Sequence, residues 1–121
     1  MKSKHNLLFS ALVLLAAPLA FACDYPDRPA IPDGSTASKE AMLAAKAAVT
    51  AYLEGVDTYL TCIESEEKAA IAELDSPDQA ELERRDDMLS KKFDAANDEK
   101  ALVGEEFNQQ VRAYNAARQA Q

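Results

Sequence analysis

Two cysteines, Cys23 and Cys62, carry most of the reactive chemistry in this 121-residue chain. A thiol pair can close a disulfide, ligate a soft metal or act as a nucleophile beside a base, and sequence context separates these fates. The chain has no Trp and one histidine, His5, so the commonest general base and nitrogen ligand is confined to the extreme N-terminus. It has no G-x-S-x-G elbow, no phosphate-cradling glycine loop and no cysteine–histidine metal spacing. No nucleophile-plus-base or acid–base constellation can be named, so the expectation is a protein that is not an enzyme, with no catalytic residue, cofactor or metal. Carboxylates do gather at Glu64, Glu66, Glu67 and Glu73, with Glu81, Glu83, Asp86 and Asp87 across from them. Oxygen ligands of this kind suit a hard cation, but EF-hand spacing is absent and charge runs on helices are usually solvated faces.

What precedes Cys23 decides its chemistry. Lys2 and Lys4 form a positive start, Leu7 to Ala17 is an almost unbroken apolar run, Pro18 breaks it, and Ala20-Phe21-Ala22 supplies a small-x-small cleavage pattern. Residues 1–22 therefore read as a cleaved secretory signal peptide. The apolar run is short of the about 20 residues that a permanent span requires. Cleavage after Ala22 leaves 99 residues that begin at Cys23. Loss of Lys2 and Lys4 from 13 basic residues leaves eleven against 21 acidic ones, a net charge of −10. Such a surface repels phosphate backbones and anionic lipid, so neither nucleic acid nor membrane is expected as a partner unless Cys23 is lipidated. Lipidation would make the chain a membrane-anchored lipoprotein, but bulky Phe21 fits that signal poorly and Cys62 would be left as an odd thiol. A Cys23–Cys62 disulfide uses both thiols in an oxidising compartment, which fits Sec-dependent export to the periplasm.

The elements that must bring these cysteines together are helical. Hydrophobic residues make up 48% of the chain, and Ala, Glu, Lys and Leu outnumber the β-branched and aromatic types that sheets favour. Residues 23–34 carry Pro26, Pro29 and Pro32 at three-residue intervals, which hold the backbone extended in a polyproline-like strap. Beyond it, Ser35 and Thr36 offer N-cap hydroxyls. Met42, Val49, Val56, Ile63 and Ala70 form one heptad row, and Leu53, Leu60 and Leu74 form a second that Lys46 and Glu67 interrupt. Ser76-Pro77-Asp78-Gln79 reads as a cap and restart. A second helix then carries Leu82, Leu89, Ala96, Val103 and Ala117 on one row and Phe93, Phe107 and Tyr114 on the other.

The fold class is therefore all-α: residues 35–121 form a long antiparallel two-helix hairpin, coiled-coil-like, with helices at about 36–75 and 77–118. Such a hairpin buries little by itself and needs a staple, a third layer or a partner. The strap can be the first two. Twenty-six helical residues from Thr36 to Cys62 rise about 39 Å, and thirteen extended residues from Cys23 to Thr36 reach about 40 Å. Ala41, Ala48, Gly55 and Cys62 recur every seven residues, flanked by Tyr52 and Tyr59, as a track of small residues on which an extended chain can lie.

The stretch Cys23-x-Tyr25-Pro26-x-Arg28-Pro29-x-Ile31-Pro32-Asp33-Gly34, followed by Tyr59-Leu60-x-Cys62-Ile63, resembles small exported proteins of Gram-negative bacteria to which no activity is assigned. The expectation for function is a non-enzymatic interaction protein, adaptor or holdase-like, whose seam is completed by a protein partner or a second copy in a four-helix bundle. The alternative is a structural envelope component anchored through a lipid on Cys23.

Overall fold

The computed structural model describes residues 23–121; the signal-peptide reading of residues 1–22 lies outside the described residues. Two helices account for most of the chain, α1 over Lys39–Ala72 and α2 over Gln79–Gln119. They pack against one another as an antiparallel pair. Residues 23–33 run as extended chain with no regular secondary structure.

Both helix starts differ from the expectation by a few residues. Asp33 ties Ser35 into a turn before the helix: its carboxylate accepts from the Ser35 N–H and hydroxyl at 2.9 and 2.6 Å. These two bonds hold the Asp33 carboxyl below its ordinary range. The Thr36 and Ala37 N–H groups donate to the Asp33 carbonyl, so the chain turns before it can wind. Ser38 then caps α1 by accepting from the Ala41 N–H at 3.1 Å, with Glu40 in the first turn where its charge suits the dipole. At the hairpin bend, Ser76 sits at φ 50°, in the left-handed region and not in the extended conformation of a cap residue. Asp78 is the cap, accepting from the Glu81 N–H at 2.8 Å. The connection between the helices thus spans residues 73–78, where a break of two or three residues was expected.

The core also departs from the heptad reading. Met42, Val49, Val56 and Ile63 are buried as one row, but the second buried row holds Ala45 and Tyr52, with Leu60 between. Lys46 is exposed and Leu53 half-buried. A bare two-helix seam would have used Leu53; here the strap covers the other flank of α1 and draws Tyr52 into the interior. On α2 only Ala96 and Val103 are buried, while Leu82, Leu89, Phe93, Phe107 and Tyr114 are half-buried. Val56 and Val103 have no exposed surface and mark the core's centre.

Buried residues end where the strap ends: between Ile63 and Ala96, through the whole turn half of the hairpin, none is buried. At the other end the strap meets α2 at Gly34, which is buried. Its N–H donates to the Gln110 side-chain oxygen at 2.9 Å. A Cβ added at Gly34 would lie 1.9 Å from the Gln110 carbonyl oxygen and 2.9 Å from the Tyr114 nitrogen. Gly34→Ala should therefore cost roughly 1–3 kcal/mol as overpacking, and so lower the thermal midpoint by roughly 5–20 °C for a chain of this size. A circular-dichroism melt checks it; an unchanged midpoint would show that the strap is not seated on α2.

Candidate functional site

The strap lies antiparallel to α1 and contacts both helices, which makes it a third layer. Cys23 and Cys62 form a disulfide with their Cα atoms 5.7 Å apart. Two residues on, the Tyr25 ring meets Tyr59 and Tyr52 edge-on, with centroids 5.0 and 6.4 Å away. The Tyr25 and Tyr52 hydroxyls share a hydrogen bond of 3.1 Å. Pro26 packs over Gly55, so close that a Cβ there would lie 3.1 Å from the proline ring. Ala30, Ile31 and Pro32 line one surface hollow with Ala41, Ala44, Ala45 and Ala48. Of the small-residue track, Tyr52, Gly55 and Tyr59 lie against Tyr25 and Pro26, while Ala41 and Ala48 share a surface hollow with the strap and Ala48 stays exposed.

Sequence reasoning missed the strap's grip on α2. The Arg28 guanidinium forms ion pairs with Glu99 and Glu106, the latter at 2.7 Å. Glu106, and then the charge of Glu99, hold the guanidinium more firmly protonated than usual. The signal was present as one cation in the strap and two glutamates seven residues apart on α2, two turns on the same face. It became legible only when the strap's line was known. Lys100 crosses from α2 to Asp57 on α1.

Beyond the disulfide the face that carries the strap continues uncovered towards the bend. Glu66 brings a carboxylate oxygen within 4.8 Å of both cysteine sulfurs. This is the group of three metal-capable side chains found among the described residues, and two of its three ligand atoms are bonded to each other. Past Glu66 opens a hollow of about 380 Å³ lined by Ile63, Ala70, Met88 and Leu89, with Glu66 and Glu67 on the α1 wall and Arg84, Arg85 and Lys92 on the α2 wall. Met88 is 49% exposed.

Half of the acidic cluster near the bend is paired with basic neighbours. Arg85 bonds Glu67 and Glu81, both at 3.0 Å, and Arg84 bonds Glu81 at 2.7 Å. The Glu81 carboxyl is accordingly held below its ordinary range, chiefly by Arg84. Lys68 pairs with Glu64, and Lys91 with Asp87. These carboxylates meet guanidinium and ammonium groups, which does not favour a cation site.

Among known proteins, no family model, no curated protein and no solved structure matches this chain. Among the described residues, no helix is long and apolar enough to cross a membrane.

Two predictions follow the geometry of the clasp. The disulfide closes a loop with a sequence separation of 39, so Cys62→Ser should remove about 4 kcal/mol in the chain-entropy treatment. Urea titration at neutral pH measures this, and an unshifted midpoint would contradict the staple. The second concerns Tyr52, which is 3% exposed. Burial first, then the bond to Tyr25, raises its pKa well above the ordinary value of 10.0. The unfolded chain ionises this phenol near pH 10 while the folded chain keeps it neutral. The stability it contributes is thus complete below pH 10 and falls as the pH rises towards the folded value. Melts between pH 9 and about 11.5 should show that decline in the parent chain and a shallower one in Tyr52→Phe.

Proposed function

We propose that this chain is an exported, non-enzymatic protein of the periplasm that works by binding another protein, as an adaptor or holdase-like factor, through the open half of its hairpin. One observation carries the reading: burial stops at Ile63 and Ala96, where the strap ends, and leaves a two-layer half with a half-buried apolar floor. Ile71, Leu74, Leu82, Leu89 and Phe93 are half-buried there and Met88 is exposed. Apolar positions left half-covered in a helical pair are what an added helix or strand buries. The first half is already closed by the strap, so binding is assigned to the second.

Export is supported by the n-region, apolar run and cleavage pattern of residues 1–22, and by a disulfide between the chain's two cysteines. The same disulfide argues against the lipid-anchored alternative, because a thioether at Cys23 would need the sulfur that Cys62 holds.

Intact mass of the protein recovered from the cell envelope, before and after reduction and alkylation, tests this directly. The expected species is the 99-residue chain from Cys23 to Gln121, taking up two alkyl groups only after reduction. A mass raised by acyl chains with Cys62 free would overturn the soluble reading and make the hairpin a membrane-tethered component.

A further inference from the structure

We infer that the hollow beyond the Cys23–Cys62 bond is a self-association surface, and that its occupant is the same hollow of a second copy related by a two-fold axis parallel to the hairpin. The inference rests on the reading that the open half binds protein, and it names the partner.

The two walls of this hollow are of opposite sign. Glu66 and Glu67 stand on the α1 side and Arg84, Arg85 and Lys92 on the α2 side, with Ile63, Ala70, Met88 and Leu89 between them. A two-fold axis along the hairpin places α1 of one copy over α2 of the other at the same height. The acidic wall of each copy then meets the basic wall of its mate, and the apolar floors meet at the centre. An axis perpendicular to the helices would set α1 over α1, acid on acid. Charge therefore selects one of the two face-to-face arrangements, and the selected one is an isologous contact that closes as a dimer. The result is a four-helix bundle confined to the turn half, where the hairpin lacks a third layer.

Within the chain, most charges of these walls already have partners. Glu67 holds Arg85, and Arg84 and Arg85 share Glu81. Among the described residues, Glu66 and Lys92 form no ion pair within the chain. Glu66 on one copy and Lys92 on the other are the pair that the two-fold brings together, twice per dimer. The antiparallel registers set by Asp57–Lys100 and by Glu67–Arg85 put Lys92 between one and six residues from the height of Glu66, at most about 9 Å, which two long side chains can span. The chain's negative charge opposes association at long range. At about 0.15 M salt, charges more than about 8 Å apart are screened while contacting pairs are much less so.

The footprint is small, roughly 20 Å by 20 Å for two helices of four turns side by side. That is at the low end for specific interfaces, so association on the order of tens of micromolar is expected.

Sedimentation equilibrium on the oxidised, processed chain as recovered from the cell tests the inference. The parent chain should pass from monomer to dimer with rising concentration. Glu66→Lys and Lys92→Glu should each weaken the dimer at least tenfold, because each turns two attractions into two repulsions. Mixing these two variants should restore dimerisation, since in the mixed dimer each 66–92 contact again pairs opposite charges. Both positions lie on the surface walls, and unchanged helical dichroism of each variant confirms folding. Met88→Glu should abolish association through the apolar floor. A parent chain that stays monomeric up to millimolar concentration overturns the second-copy assignment and leaves the exported-binder reading to its own mass test. A dimer indifferent to the charge exchanges, or not restored by mixing, overturns the proposed two-fold.

Discussion

The extended strap seated along both helices is the constraint on which the rest of the structure depends. Two helices side by side can bury only one stripe each, and a chain of this size has little margin for the entropy of ordering. The strap changes that geometry. It adds a layer over the flank of α1 that carries Tyr52, Gly55 and Tyr59, and it reaches α2 through Arg28 and Gly34. Prolines suit the role because their backbone is already extended and loses less freedom on docking. The disulfide fixes one end of the strap and the Gly34 contact with α2 fixes the other.

That constraint divides the molecule energetically. Where the strap lies, residues from Met42 to Ile63 and from Ala96 to Val103 reach the interior; where it is absent, none does. The turn half is held by the half-buried seam and by surface ion pairs such as Lys68 with Glu64 and Lys91 with Asp87. Exposed pairs of this kind contribute little to stability. Local opening should therefore begin at the bend. The floor of that half is formed but not closed, which is why the proposed binding surface is placed there.

Much of this was legible before the fold was seen. Proline spacing marked the strap, a period of seven marked the seam and the track, and matching lengths pointed from Cys23 to Cys62. What escaped was of two kinds, local turn chemistry and packing by a distant segment. Ser35 and Ser76 looked like caps, but Asp33 engages the first in a turn, and the second sits at φ 50° with Asp78 as the cap. Leu53 looked like core and Tyr52 like its flank, yet the strap's Tyr25 makes Tyr52 the buried residue. Arg28 drew no reading from the sequence, because its partners Glu99 and Glu106 lie more than seventy residues away. Periodicity reports what one helix can bury. Which side is buried depends on a neighbour more than twenty residues away, and that dependence is invisible to local pattern.

Amide hydrogen exchange on dilute protein, oxidised and reduced, tests the central claim that the clasped strap builds the core. Slow exchange should be confined to residues 49–63 of α1 and 96–107 of α2 in the oxidised chain, with faster exchange through the bend. Reduction should erase most of that protection while leaving the bend little changed. Uniform protection along both helices, unaffected by breaking the Cys23–Cys62 bond, would mean that the hairpin stands without its strap.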